Sequence, residues 1–317
     1  MRILFLGTPE FAVATLEAVH NEGFQIVGVV TAPDKAAGRG QKLTFSDVKK
    51  FALTHDLPVL QPEKLKDPDF LEQVKMLNAD LFIVVAFRML PEALYTMPPL
   101  GTFNVHASLL PNYRGAAPIH HAIMNGEKKT GVTAFFLNHE IDKGDIIDRA
   151  EVEINDEETT GELYERLKIE GAKLAVQAIR RIENDNLILE KQDNIPDNQI
   201  KLAPKIFKED TLIDWNMPAQ VIFNKIRALS PLPGAMTHLQ TTEGELMILK
   251  CYKATITEVK STDIPGIFAI TSEKSFVVNT KDFQISLGIV QLQGKSKMEM
   301  KIFLQGFRET NFINNLI

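Results

Sequence analysis

The segment Thr102-Phe103-Asn104-Val105-His106-Ala107-Ser108 spaces three polar side chains two residues apart. Side chains alternate faces along a β-strand, so Asn104, His106 and Ser108 point to one side while Phe103 and Val105 point to the other. An amide that donates N–H, next to an imidazole that takes and returns a proton near neutral pH, can stabilise a developing oxyanion while a proton moves. A lone His on a strand is more often a buried, hydrogen-bonded structural residue. Asn104 on the same face reverses that balance. The segment runs into a Pro- and Gly-containing loop, residues 109–118, and open α/β sheets bind ligands beyond the carboxyl ends of their strands.

Other candidates are weaker. Asp142, in Glu140-Ile141-Asp142-Lys143-Gly144-Asp145, lies between an expected strand at 132–137 and the run 146–154. Asp and Gly suit tight turns for local reasons, and the spacing does not say whether Asp142 or Asp145 faces His106. His120 and His121 adjoin on an expected helix, where neighbouring positions do not face each other, and His139 lacks a ligand pattern; no metal site is expected. Gly7-Thr8-Pro9 follows the first strand as a phosphate-binding turn would, and Asp34 follows the second as a ribose-binding acid would. The further glycines of a dinucleotide fingerprint are missing, which argues against a nicotinamide dehydrogenase.

These residues need a scaffold, and the apolar patterning supplies one. Strands are expected at 2–6, 25–31, 58–60, 81–86, 102–108 and 132–137, alternating with helices at 9–21, 45–54, 67–77 and 118–125. Apolar runs without polar alternation mean strands covered on both faces, so the fold class is α/β: a doubly wound, mainly parallel Rossmann-like sheet. A long amphipathic helix at 161–183 closes this part. The polar stretch 186–204 reads as a linker. After it come a helix at 219–229, with Pro218 at its start, and short strand-like runs near 247–252, 266–271, 275–278, 283–292 and 298–303, the spacing of a small β-barrel. The expected division is a catalytic domain at 1–188, a linker at 189–205 and a barrel at 206–317.

Four stretches form a recognisable pattern: Asn104-Val105-His106-Ala107-Ser108-Leu109-Leu110-Pro111, Tyr113-Arg114-Gly115-Ala116-Ala117-Pro118-Ile119, Thr130-Gly131-Val132-Thr133 and Asp142-Lys143-Gly144-Asp145. The pattern resembles the folate-dependent formyltransferases, and among them the group acting on methionyl-tRNA. The likeness runs from Gly7-Thr8-Pro9 to Gly294-Lys295-Ser296-Lys297. It implies that Asn104, His106 and Asp142 are catalytic, that Ser108, Leu109, Leu110 and Pro111 lie against 10-formyltetrahydrofolate, and that the acceptor is methionyl initiator tRNA. On this reading Asn104 or protonated His106 stabilises the oxyanion formed when an amine attacks the formyl carbon. Asp142 orients the imidazole and supports its charged form.

The segment 32–42 places Lys35, Arg39 and Lys42 on a Gly- and Ala-rich loop with little capacity to pack. Such a loop is usually just solvated. The resemblance implies that it reaches the acceptor end of the tRNA through Arg39, flanked by Gly38 and Gly40, with Lys35 and Lys42 adding phosphate contacts. It further implies that the barrel is of the oligonucleotide-binding type. Lys250, Lys253, Lys295, Lys297, Lys301 and Arg308 are then candidates for the tRNA backbone.

Bulk properties bound these expectations. The chain has 317 residues, 44% hydrophobic and 24% charged, enough for two domains with real cores. A formal charge of -6 argues against a dedicated nucleic-acid packager, and the acid is concentrated before residue 206; beyond it 12 Lys and Arg face 11 Asp and Glu. The single cysteine, Cys251, excludes an internal disulfide and suits a reducing compartment. Met1 leads into the apolar run 3–6 within two residues, leaving no room for a leader, and no segment has the length of a membrane span; a cytoplasmic monomer is expected. Two other readings compete: formyl transfer to a small amine, such as glycinamide ribonucleotide or an amino-sugar nucleotide, and a non-catalytic folate-regulated RNA-binding protein. The resemblance disfavours the first. Glycinamide enzymes end near the first domain, and the amino-sugar enzymes carry a different residue where this chain has Ala116. The polar face of Asn104 and His106 disfavours the second.

Overall fold

The computed structural model describes residues 1–37, 42–192 and 196–317. The first half comprises β1 (Arg2–Gly7), α1 (Glu10–Asn21), β2 (Gln25–Val30), β3 (Lys35–Ala37), β4 (Lys42–Thr44), α2 (Asp47–Thr54), β5 (Val59–Leu60), α3 (Pro68–Met76), β6 (Leu81–Val85), α4 (Glu92–Tyr95), β7 (Thr102–His106), β8 (Arg114–Gly115), α5 (Pro118–Met124), β9 (Lys129–Phe136), β10 (Ile146–Glu153) and α6 (Thr160–Glu183). Among the described residues, seven strands form one sheet in the order β10-β9-β7-β6-β1-β2-β5. The five strands from β5 to β7 in that order run parallel, and β9 and β10 add an antiparallel edge. The strand order reverses at β1, which lies between β6 and β2, so the carboxyl ends of β1, β6 and β7 open on one crevice.

Local chemistry accounts for these elements. All five residues of β6, Leu-Phe-Ile-Val-Val, are buried, as a strand covered on both faces requires. Gly7 ends β1 where a Cβ would come within 2.6 Å of the Ala12 Cβ and 2.8 Å of Phe5, so only glycine lets α1 start this close to the strand. Ser46 caps α2 by accepting from the Lys49 N–H, and Asp67 caps α3 with Pro68 behind it. Helix α6 buries Leu167, Leu174, Ala178 and Ile182, a stripe at helical spacing.

The second half contains β11 (Leu202–Ala203), α7 (Ala219–Ala228), β12 (Ala235–Thr241), β13 (Leu246–Lys260), β14 (Phe268–Ile270), β15 (Phe276–Asn279), β16 (Phe283–Leu292), β17 (Met298–Glu299), α8 (Met300–Gly306) and β18 (Phe312–Leu316). Among the described residues, six of its strands follow the order β14-β15-β16-β13-β12-β18, β17 pairs with β16, and β11 pairs with β8. Ile267, just before β14, bridges Asn315 of β18, so the antiparallel sheet is a nearly closed barrel. Phe268 and Phe276 stack at 4.5 Å in its core, and Trp215 is buried there with Nε1 donating to Thr237 Oγ1 at 3.0 Å.

The structure corrects the strand expected at 298–303. Only Met298 and Glu299 are extended; the rest is α8, which buries Met300 and Phe303 three residues apart, a helical spacing that a short apolar run cannot distinguish from a strand. Strands β12 and β18 were not anticipated, and β3 and β4 pair as a hairpin where a loop was expected.

Two compact units result. One takes Met1–Pro118, Lys129–Glu153 and Tyr164–Leu202; the other takes Ile119–Lys128, Ile154–Leu163 and Ala203–Ile317. Part of the stretch read as a linker belongs to the first unit: Glu190 exchanges backbone hydrogen bonds with Ile146 at 3.0 and 2.8 Å, and Gln192 is buried.

Candidate active site

Strand β7 carries Asn104 opposite Phe135 and His106 opposite Thr133 of β9. His106 is 7% exposed, and its Nε2 lies 2.9 Å from the Tyr113 carbonyl oxygen. A carbonyl only accepts, so Nε2 carries the hydrogen and Nδ1 is left for exchange. Nδ1 faces Asp142 Oδ2 at 3.9 Å, within ion-pair reach but beyond a hydrogen bond. The same Oδ2 accepts the Gly115 N–H at 3.0 Å. Spacing left Asp142 and Asp145 open as neighbours of His106; the fold brings up Asp142. Both residues that aim groups at the imidazole have left-handed backbones, Tyr113 at φ +62° and Asp142 at φ +54°. For Tyr113 this conformation is uncommon and is enforced by its surroundings, whereas an Asp in a turn adopts it readily.

Asn104 is half-buried, and its Oδ1 has no hydrogen-bond partner among the described residues. A buried polar atom left unpaired is costly, about 1–3 kcal/mol, and calls for a ligand in a native structure. The amide therefore holds an unengaged acceptor, Oδ1, two residues from His106.

Ser108 lies beyond the strand. The strand ends at His106, and the fully buried Ser108 turns its hydroxyl to the Asn112 carbonyl at 2.7 Å, closing the loop. Thr133 Oγ1 donates to the Ser108 carbonyl at 2.7 Å and accepts the Leu110 N–H at 3.1 Å. The Leu110-Pro111 bond is cis, and Arg149 Nε donates to the Leu110 carbonyl at 3.0 Å while its guanidinium forks onto Glu190. That pairing holds the Glu190 carboxyl below its usual range. Leu109 and Pro111 are partly exposed in this pinned loop.

Tyr113, Thr133, Arg149, Glu190 and Gln192 position the site yet escaped sequence reasoning. Tyr113 and Thr133 stood in the recognised pattern without a role, because only tertiary structure shows what a backbone carbonyl or a threonine hydroxyl faces. For Arg149, Glu190 and Gln192 no local signal exists; each acts on a residue about 40 or more positions away.

Lys35 is exposed on β3, and Lys42 lies on β4 across from Ala37; Arg39 lies outside the described residues. Before the hairpin, Lys49 Nζ reaches Asp34 Oδ2 at 2.5 Å and Gln61 Oε1 at 2.7 Å, while Gln61 Nε2 donates to Asp34 Oδ1 at 2.8 Å. The Gln61 amide, then Lys49, hold the Asp34 carboxyl below its ordinary value. Asp34 thus has a structural partner, against the ribose-binding reading. In the second unit Lys297 Nζ sits 4.2 Å above the Tyr252 ring, and Lys250 Nζ donates to the Pro233 carbonyl at 2.9 Å. Lys253, Lys295, Lys301 and Arg308 are exposed. Among the described residues no group of three or more His, Cys, Asp or Glu could hold a metal ion, and no helix is long and apolar enough to cross a membrane.

The formyl transferase family model matches residues 1–179, and that of the formyl transferase C-terminal domain matches residues 205–308. A methionyl-tRNA formyltransferase of Azobacteroides pseudotrichonymphae is 48% identical over 309 residues, covering 96% of this chain and 95% of that protein. One of Bacteroides thetaiotaomicron is 44% identical over 310 residues, covering 97% and 96%. Among solved structures, the sugar 3N-formyl transferase WlaRD, in the presence of dTDP and 5-N-formyl-THF, superposes with a TM-score of 0.64 at 22% identity over 93% of this chain and 99% of that one, a likeness of fold. With both halves matched and full-length relatives well above 30% identity, the chain belongs to the methionyl-tRNA formyltransferases of the formyl transferase family.

Proposed function

We propose that this chain transfers the formyl group of 10-formyltetrahydrofolate to the α-amino group of methionyl initiator tRNA, with Asn104, His106 and Asp142 as its catalytic residues. One observation carries the chemistry: an amide whose Oδ1 has no partner among the described residues stands two residues from an imidazole whose Nε2 is committed to Tyr113 and whose Nδ1 faces a carboxylate. The amine attacks the formyl carbon, and the carbonyl electron pair moves onto oxygen, where the Asn104 N–H donates. The amine proton passes to His106 Nδ1, and the resulting imidazolium faces Asp142. Collapse of the tetrahedral adduct breaks the bond to N10 of the folate, which takes its proton back from His106.

The pinned loop of Ser108, Leu109, Leu110 and Pro111 lies against the folate, offering partly exposed apolar surface on a backbone fixed by Thr133 and Arg149. Lys35, Arg39 and Lys42 meet the acceptor end of the tRNA, and the barrel, residues 206–317, binds its backbone. The compact unit of Met1–Pro118, Lys129–Glu153 and Tyr164–Leu202 carries the catalysis, and the protein works as a cytoplasmic monomer without a metal. The tRNA acceptor is supported by the names of the full-length relatives.

The test is incubation of the purified protein with 10-formyltetrahydrofolate and either charged initiator tRNA or small amines. Formylation of the methionyl-tRNA is expected. Transfer only to glycinamide ribonucleotide or an amino-sugar nucleotide would overturn the acceptor, and tRNA binding without transfer would overturn the chemistry. For the triad, Asn104→Ala, His106→Ala and Asp142→Ala should each fold and lose transfer; near-normal turnover by one of them removes that residue from the mechanism.

A further inference from the structure

Asp142 reaches His106 from a turn braced locally by the Lys143–Glu140 ion pair at 2.7 Å and by the Glu140 N–H on Asn138 Oδ1 at 2.8 Å, contacts that leave the Asp142 and Gly144 carbonyls to other partners. Its backbone is left-handed at φ +54°, and Ile141 beside it is 60% exposed. Those carbonyls are held from 50 residues downstream. Gln192, 6% exposed, donates from Nε2 to the Asp142 carbonyl at 3.1 Å and to the Gly144 carbonyl at 2.7 Å. Its Oε1 accepts from Arg114 Nη2 at 2.8 Å and Nε at 3.3 Å. Arg114 is flanked by the two residues that contact this pair: Tyr113, whose carbonyl holds His106, and Gly115, whose N–H holds Asp142. One buried amide therefore ties both loops that meet at the imidazole.

We infer that Gln192 is a positioning residue that sets Asp142 against His106 by clamping the turn 142–144 to the segment 113–115. This rests on the proposed catalytic role of Asp142. Only a primary amide offers this pairing of two donors aimed at carbonyls with an acceptor aimed at a guanidinium. A carboxylate there keeps the Arg114 side and repels the carbonyls; a methionine fills the volume and makes neither bond. Misplacing a catalytic group by about 1 Å costs roughly 100-fold in rate.

The test compares Gln192→Met, Gln192→Glu and Asp142→Ala with the parent protein. The kcat and both KM values are measured per folded molecule, and amide hydrogen exchange is read at Gly115, whose N–H reports the Asp142 contact independently of turnover. Gln192→Met and Gln192→Glu should each lower kcat by roughly 10- to 100-fold, leave both KM values within about threefold, and speed Gly115 exchange. Retention of Arg114 pairing in Gln192→Glu should not rescue kcat. Normal kcat in Gln192→Met beside an inactive Asp142→Ala would overturn the clamp, as would lowered kcat with unchanged Gly115 protection. A fully active Asp142→Ala would instead overturn the catalytic reading of Asp142, and Gly115 exchange would still decide whether Gln192 holds the turn.

Discussion

Asn104→Ala removes an amide whose buried Oδ1 has no partner in the folded protein among the described residues. Relieving an unpaired buried polar atom is worth about 1–3 kcal/mol. Trimming a half-buried side chain to Ala loses packing of comparable size. The two oppose, so the net change in unfolding free energy should lie within about 1 kcal/mol, roughly 2–4 °C in Tm for a domain of this size. Loss of an oxyanion donor, by contrast, costs about 100- to 1,000-fold in rate, or about 2.7–4 kcal/mol of activation free energy. The assay is single-turnover formylation at saturating folate and charged tRNA, with thermal unfolding of the same preparation. Catalysis should fall by two to three orders of magnitude while Tm stays in place. A fall in Tm of about 10 °C would show that the amide is a structural element after all. A rate within about tenfold of the parent would remove Asn104 from oxyanion stabilisation.

Other expectations follow from the same contacts. A Cβ on Gly144 would overlap the Phe136 carbonyl oxygen, so Gly144→Ala must move the backbone of the Asp142 turn and should abolish turnover while the isolated barrel signal, Trp215 fluorescence, persists. Lys49 and Gln61 hold the Asp34 carboxyl below its ordinary value of about 3.9. Their contribution is present above that pH and is lost as pH falls through the lower folded value. Lys49→Met should therefore destabilise at pH 7, with the deficit shrinking in urea titrations as pH falls through the ordinary carboxylate value and below it; a pH-independent deficit would assign the effect to packing on Phe45, whose ring lies 4.1 Å from Nζ. Trp215→Phe leaves Thr237 without its indole donor and should lower the unfolding free energy by about 1–3 kcal/mol, read as a lower urea midpoint at unchanged m. Arg39→Ala should raise the KM for tRNA without altering that for folate, and tRNA binding should weaken as salt rises.

The alternation of Asn104, Val105 and His106 and the uninterrupted apolar runs of β1 and β6 were enough to read a Rossmann-like sheet with a polar face at its carboxyl edge, because both depend only on strand periodicity and burial. The barrel was legible as spaced short runs, but not α8: Met300 and Phe303 satisfy a strand or a helix, and only the packing of Phe303 and Phe307 against one another, 5.1 Å apart, selects the helix. That the strand ends at His106, and that the Ser108 hydroxyl is committed to the Asn112 carbonyl, only the structure shows. The three residues with which this reading began divide the same way. Sequence alone determined that Asn104 and His106 share a face, a matter of neighbours on one strand. That Asp142 rather than Asp145 meets His106, that Tyr113 fixes the proton on Nε2, and that a glutamine in an apparent linker holds the turn were decided by tertiary structure. Those groups lie 7 to 50 residues apart along the chain, and pattern carries no information about which backbone carbonyls a fold will bring within 3 Å of one another's donors.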